Sequence, residues 1–184
     1  MRTTLSLLAA CTLTTLTLTG CGTHPTANPT TPTPTVDKVQ AAKDAAETAL
    51  RTWFQVSAQC LADPPNTQPS CLDQASTDQV LQDDHQALAT AQEYGFHYVG
   101  QITVVSVQSD NVVLDGVAHV DITACIDTTN YQAVDDGGMP VLPVDESRPL
   151  RHLIVVEVRN YAYPSAADWR VGEIMDLEIA TTPC

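Results

Sequence analysis

The hydrophobic pattern of the chain changes its period at Gly95, and this change constrains the fold more than any other feature. Before Gly95, apolar residues recur every three or four positions over residues 36 to 61 and again over about 72 to 94, as on one face of a helix. After Gly95, apolar and polar residues alternate, which is typical of half-buried strands. Helices followed by strands joined through turns predict an α+β fold.

Both predicted helices carry clear markers. Trp53 and Phe54 lie near the end of the first helix on its apolar side, and we expect both rings in the core. Gly95 is the expected stop of the second helix, since glycine adopts the left-handed backbone conformation that ends many helices. His85, beside two aspartates, is expected on the solvated face of that helix.

Four predicted strands cover residues 96 to 109, 112 to 127, 151 to 161 and 168 to 180. A phase slip near Val104 indicates a bulge in the first strand, and Asp110 with Asn111 is the expected turn after it. In the last strand, Trp169 and Met175 are expected on the same apolar face. The folded part should therefore be a single α+β domain over residues 36 to 184, about 150 residues and large enough for one core.

The first twenty residues predict a secretory signal peptide. Met1 and Arg2 precede the apolar run LSLLAACTLTTLTL, which is too short and too rich in threonine to span a bilayer stably. The following LTGC, residues 18 to 21, resembles the lipobox of bacterial lipoproteins. That resemblance implies that Cys21 is lipidated and becomes the first residue of the mature chain. Acyl chains on Cys21 would then provide the membrane anchor.

Residues 22 to 35 contain threonine and proline without an apolar period, which is typical of a semi-extended tether. At roughly 3 Å per residue, such a tether holds a domain a few tens of Å from the membrane. The expected location is therefore the extracytoplasmic face of the cell membrane.

The charge balance limits the partners. The chain has 8 Lys and Arg residues against 22 Asp and Glu, for a net charge of −14. A surface this acidic repels nucleic acid and anionic lipid headgroups, so we expect no nucleic-acid partner and membrane contact only through the lipid.

Four cysteines remain in the folded part, and an even number in an exported domain favours disulfides. They are Cys60, Cys71, Cys125 and Cys184. Of the three connectivities, we favour Cys60 with Cys71, which bracket a proline-rich turn, and Cys125 with Cys184. A zinc site is the alternative, but no Cys-x-x-Cys spacing supports it. If Cys21 joined a disulfide instead, the count would be odd.

The order of elements resembles the nuclear transport factor two-like superfamily, which includes SnoaL-like cyclases and ketosteroid isomerases. More narrowly, it resembles secreted lipoproteins of actinobacteria through ACID at 124 to 127, DWRVGEI at 168 to 174 and the terminal Cys184. The resemblance implies a curved, cone-like antiparallel sheet with the helices packed on it, and it supports the pairing of Cys125 with Cys184. In the enzymes of the superfamily, polar groups point into a pocket inside the cone.

Several side chains are candidates for chemistry, each with a plainer interpretation beside it. His119, Asp121 and Asp127 alternate on the polar face of the second strand, where they form a base or metal site, or simply a solvated ladder. His152 lies on the apolar face of the third strand as a catalyst or as a satisfied core residue. Tyr94, Tyr98 and Tyr161 are candidates for a pocket mouth. Asp135, Asp136, Asp145 and Glu146 form a candidate weak calcium loop, although loop carboxylates usually meet only water.

Three functions are compatible with these patterns. The first is a non-enzymatic lipoprotein that binds a partner protein or a small apolar ligand, with no cofactor, metal or catalytic residue assigned. The second is a small isomerase or cyclase that uses His152 or a tyrosine. The third is a surface-exclusion or conjugation-associated lipoprotein of a mobile element. No nucleophile elbow, phosphate loop, metalloprotease motif or EF-hand pattern occurs in the sequence.

Overall fold

The structure is a computed structural model that describes residues 37 to 141, 149 to 175 and 181 to 184. The expected signal peptide, Cys21 and the tether lie outside the described residues, as do Asp145 and Glu146. None of the helices in the described ranges has the length and apolar character needed to cross a membrane. The prediction of an α+β fold with N-terminal helices followed by an antiparallel sheet is confirmed.

Two α-helices lead the domain. Helix α1 spans Lys38–Cys60 and is capped at its N-terminus by Asp37, whose carboxylate accepts hydrogen bonds from the backbone N–H groups of Val39 and Gln40 at 3.0 and 3.3 Å. Helix α2 spans Asp78–Tyr94 and ends at Gly95, which adopts φ of 69° as expected of a helix-ending glycine.

Helix α2 begins six residues later than the sequence predicts. The residues before it form a short 3₁₀ turn, Pro69–Cys71, and then a non-helical segment, residues 72 to 77, of turns followed by a single β-bridge from Ser76 to Val171. Within that segment Thr77 donates its backbone N–H to the carbonyl of Val171 at 2.9 Å, and Val171 donates to Ala75 at 3.1 Å. The segment therefore covers the edge of the last strand instead of extending the helix.

Among the described residues, the main sheet has four antiparallel strands in the order β2-β3-β5-β6, and β1 and β4 form a separate two-stranded sheet. The bounds are β1 His97–Val99, β2 Thr103–Val113, β3 Ala118–Asp127, β4 Gln132–Val134, β5 Arg151–Asn160 and β6 Trp169–Ile174. The central pair, β3 and β5, matches residue for residue from Ala118↔Asn160 to Asp127↔Arg151 without a slip.

The prediction of one strand over residues 96 to 109 is wrong, because the chain breaks at Gly100. Gly100 has φ of 83°, and a β-carbon there would overlap the carbonyl oxygen of Asn130. The chain forms β1 before this point and β2 after it. The bulge expected near Val104 is confirmed by a register shift between Val104 and Ser106. The turn expected at Asp110 is wrong, since β2 continues to Val113.

Strand β6 contains a bulge that the alternating pattern does not reveal. Val171 pairs with Val158 and Glu173 pairs with Glu157, so Gly172 is an extra residue on β6. The bulge reverses the alternation beyond it. Ile174 therefore lies opposite buried Val156, and Met175, predicted to share the apolar face with Trp169, is 40% exposed.

The helices pack on one face of the sheet. The alternate residues of β3 that face the helices are almost fully buried: Ala118, Val120, Ile122, Ala124 and Ile126. Trp53, Phe54 and Trp169 fill the helix-to-sheet interface and are each 9% exposed or less. The core prediction for these three aromatic residues is confirmed.

Two disulfides link the described chain, Cys60 to Cys71 and Cys125 to Cys184, with Cα separations of 6.1 and 5.9 Å. The first ties the end of α1 to the 3₁₀ turn that precedes α2. The second fixes the C-terminus against the sheet, where Leu153 also donates its backbone N–H to Thr182 at 3.0 Å.

We expect the two disulfides to contribute unequally to stability. The chain-entropy model predicts that the link across 59 residues stabilises the fold by about 1.5 kcal/mol more than the link across 11 residues. Urea unfolding of a Cys125→Ala/Cys184→Ala double variant should give the larger loss of unfolding free energy, with Cys60→Ala/Cys71→Ala as the matched comparison. Equal losses, or the reverse order, would contradict this ranking.

Candidate functional site

The polar side chains of the sheet converge on the face opposite the helices. Alternation along β3 places His119 and Asp121 on this outer face, and alternation along β5 places Glu157 and Arg159 there. The register sets Asp121 directly opposite Glu157 and His119 directly opposite Arg159. We refer to His119, Asp121 and Glu157 as the outer-face cluster.

The outer-face cluster is close enough to bind a single small ion. One potential ligand atom from each of the three residues lies within 4.8 Å of the other two. His119 Nε2 and Glu157 Oε2 are 4.0 Å apart, and their side chains are 25% and 17% exposed. This partial burial reduces solvent screening between the three groups.

Each carboxylate of the cluster has one oxygen held by a neighbour. Asn111 donates to Asp121 Oδ2 at 3.2 Å, and Arg159 Nε donates to Glu157 Oε1. The second oxygen of Asp121, Oδ1, is buried and has no hydrogen-bond partner in the described part of the chain. A buried carboxylate oxygen without a partner is costly, so this atom requires a physical explanation.

The ring of His119 is oriented by its own strand. Its Nδ1 lies 3.3 Å from the carbonyl oxygen of Val117. Because a carbonyl only accepts hydrogen bonds, this contact favours the tautomer with the proton on Nδ1. The lone pair of the neutral ring is then on Nε2, the nitrogen nearer Glu157.

Arg159 connects the cluster to the start of α2. Its guanidinium donates to Asp78 and Glu173 at 2.9 Å each, as well as to Glu157. Tyr161 also donates its hydroxyl to Asp78, and this bond raises the pKa of the tyrosine. One positive charge therefore faces three carboxylates, and the site keeps an excess of negative charge.

Sequence reasoning grouped Asp127 with His119 and Asp121, but the structure separates it. Asp127 lies eight residues along β3 from His119, about 26 Å at strand spacing. The hydroxyl and backbone N–H of Thr129 both donate hydrogen bonds to Asp127 and lower the pKa of its carboxyl group. These hydrogen bonds order the turn after the strand. The partner that sequence reasoning missed is Glu157. The alternating pattern of β5 predicts that Glu157 lies on the polar face. The pattern does not predict the register that sets Glu157 opposite Asp121.

The side chains proposed for the isomerase alternative do not converge. His152 is 2% exposed and its Nδ1 lies 2.7 Å from the carbonyl of Pro149, so it is a buried residue with a partner. Tyr161 follows the opposite end of β5, about 30 Å away at strand spacing. Tyr98 stacks on Tyr131 with ring centroids 5.0 Å apart, and burial raises the pKa of both phenols. Tyr94 is 71% exposed.

In the acidic loop proposed to bind calcium, the first carboxylate, that of Asp135, stabilises a turn. Asp135 Oδ1 accepts backbone hydrogen bonds from Gly137 and Met139 at 2.9 and 2.8 Å, which fixes a tight turn. Asp136 is exposed. The other two predicted ligands are outside the described residues, so the loop is not tested as a set.

Three of the hollows on the described part of the chain are partly open to solvent. One of about 420 Å³ is open to solvent and is lined by Ala58, Gln59, Ala62 and residues 97 to 101. Smaller hollows of about 180 and 260 Å³ lie beside Trp169. Ligand pockets usually enclose roughly 300–1,000 Å³ and bury most of the ligand. The 420 Å³ hollow falls within this range of volumes, but it is open rather than enclosing, and this openness favours contact with a partner surface.

A second partly buried carboxylate lies between the helices. Asp84 of α2 accepts a hydrogen bond from the indole nitrogen of Trp53 in α1 at 2.9 Å. Burial raises the pKa of Asp84, and hydrogen bonds with Ser76 and Trp53 counteract only part of this effect. The carboxylate therefore joins the two helices at an electrostatic cost.

No protein-family model matches the chain, and no curated protein matches it. Among solved structures, the chain is similar to the crystal structure of the intermembrane space region of the chloroplast protein ARC6. The sequence identity is 14% and the TM-score is 0.39, with 72% of this chain and 92% of that chain covered. A similarity at this level carries no conclusion about family or function.

We predict that Asp84→Asn stabilises the domain at neutral pH. The amide oxygen can still accept from Trp53, but no charge is desolvated. A rise in Tm of roughly 2–4 °C is expected, the shift that corresponds to about 1 kcal/mol in a domain of this size.

The stabilisation by Asp84→Asn should depend on pH. Because the pKa of Asp84 is raised above 3.8, the folded state holds the proton more tightly than the unfolded chain does. Ionisation therefore costs stability as the pH rises from 3.8 through the raised pKa. The advantage of the variant should disappear below that range in thermal melts. Asp115→Asn, in the exposed turn between β2 and β3, is the control, and a gain that persists in acid would contradict the assignment.

Proposed function

We propose that the protein is an extracytoplasmic lipoprotein, anchored through acyl chains on Cys21, whose α+β domain binds a partner protein at the cell surface. The observation that carries the anchor is the sequence LTGC directly after a short apolar segment. The two disulfides support an oxidising compartment, since such links rarely persist in a reducing cytosol. The proposal includes the resemblance to actinobacterial lipoproteins with a nuclear transport factor two-like domain.

The interior of the domain supports binding over catalysis. Trp53, Phe54 and Trp169 occupy the interface where a cone-shaped enzyme would hold its substrate. The isomerase alternative requires polar groups that converge in a cavity, but its candidate His152 lies near the start of β5 and its candidate Tyr161 follows the end of that strand. The open hollows and the outer sheet face are what the described domain presents to a partner.

The anchor is tested by substituting Cys21. In Cys21→Ala the thiol that forms the lipid thioether is lost, so incorporation of labelled palmitate should stop. Mass spectrometry of the wild-type protein should find the mature N-terminus at an acylated Cys21. The domain should also leave the membrane fraction in the variant.

Cys11→Ala is the matched control, because Cys11 lies inside the predicted signal peptide and should not be modified. This variant should incorporate palmitate like the wild type. Undiminished palmitate labelling of Cys21→Ala, or its retention in the membrane fraction, would refute the proposed anchor.

Partner binding is tested by photo-crosslinking in intact cells. A photoreactive amino acid at Ala62, on the rim of the 420 Å³ hollow, should give a discrete crosslinked product. The same group at Asp115, in the exposed turn between β2 and β3, serves as the control and should give none. If the two positions give the same products, or neither gives one, the hollow is not the binding surface.

A further inference from the structure

We propose that the outer-face cluster is a binding site for one divalent transition-metal ion, and that the ion suited to it is Zn²⁺. His119 Nε2, a carboxylate oxygen of Asp121 and a carboxylate oxygen of Glu157 would be the protein ligands. This site is separate from the lipid anchor and does not depend on the proposed function.

The first argument is the energetic cost of the site without a cation. Asp121 and Glu157 are directly opposed across the central strand pair, and two like charges in such a pair destabilise a sheet. Asp121 Oδ1 is buried and has no hydrogen-bond partner among the described residues. A bound cation would remove both costs at once, because it gives the oxygen a partner and neutralises the repulsion.

The second argument is the orientation of the three side chains. In each of them one polar atom is held by a neighbour outside the cluster, and a second polar atom is not held in this way. The backbone carbonyl oxygen of Val117 lies 3.3 Å from Nδ1 of His119. Asn111 donates a hydrogen bond to Oδ2 of Asp121, and Arg159 donates one to Oε1 of Glu157. Metal-binding imidazoles and carboxylates are usually fixed by second-shell partners of this kind, which orient the remaining lone pairs toward the metal.

The third argument is the local charge. Arg159 is the guanidinium that contacts the cluster, and it is already shared among Glu157, Asp78 and Glu173. Its cross-strand neighbour Arg170 lies 4.0 Å from another carboxylate, that of Asp168. The single charge of Arg159 cannot compensate its three carboxylate partners together with Asp121. The remaining negative potential favours a dication over a second neutral hydrogen-bond donor.

The ligand set selects the ion. One imidazole nitrogen and two carboxylate oxygens are a set that Zn²⁺ accepts at about 2.0–2.2 Å, with water in the remaining position. Calcium requires six to eight oxygen ligands, and magnesium avoids imidazole. Ligand atoms around a tetrahedral zinc ion lie about 3.4 Å apart, so atoms within 4.8 Å of one another need only small side-chain rotations.

Zinc chloride is the probe for a direct test. The full chain, kept in detergent, is stripped with a chelator and titrated with zinc at neutral pH by calorimetry. We expect one ion per chain and a zinc-dependent rise in Tm. His119→Gln, Asp121→Asn and Glu157→Gln should each weaken zinc binding by at least about tenfold. Circular dichroism shows which variants remain folded, and three independent substitutions keep the test valid if one of them does not.

His85→Gln is the matched control. His85 is also paired with a carboxylate, Asp73, at 2.9 Å, but it lies on α2 away from the cluster. This variant should bind zinc as the wild type does. The proposal is overturned if zinc does not bind, if folded variants of the cluster lose less than about tenfold in affinity, or if His85→Gln loses as much. Calcium binding as tight as zinc binding would also overturn it.

Discussion

The unbroken pairing of β3 with β5 is the constraint on which the rest of the structure depends. Ten consecutive residues match from Ala118↔Asn160 to Asp127↔Arg151, and this register decides the role of every side chain on both strands. A slip of one residue would turn each buried side chain to the outer face. The helix-packing surface and the outer-face cluster are thus two consequences of one register.

The flanking strands adapt to this rigid centre. β2 has register shifts after Val104 and after Ser109, and β6 gains an extra residue at Gly172. A β-carbon at Gly172 would lie 2.9 Å from Arg159 Cδ, so the glycine leaves room for the arginine stem. The bulge in β6 therefore serves the packing of the core on one face and the ion pairs of Arg159 on the other.

The features that the sequence predicts correctly are those that depend on residues close together in the chain. The aromatic core residues, the helix end at Gly95 and the buried face of β3 follow from hydrophobic period and from glycine conformation. The misses depend on residues distant in sequence. Gly100 breaks the first strand because Asn130 lies against it, and α2 starts late because Thr77 bonds to Val171. Glu157 was overlooked for the same reason, since strand register is not a local property.

Two aspartates show how a structural carboxylate differs from a candidate ligand. Asp84 is partly buried and its pKa is raised, yet it accepts a hydrogen bond from Trp53 that joins the two helices, so packing accounts for it. Asp121 has a buried oxygen without a partner among the described residues, and across the strand it faces a second carboxylate, that of Glu157. Arg159 and Asn111 each hold one oxygen of this pair, but the described part of the fold does not explain the repulsion between the two acids or the buried Asp121 oxygen. An ion is the physical factor that makes this pair of carboxylates favourable.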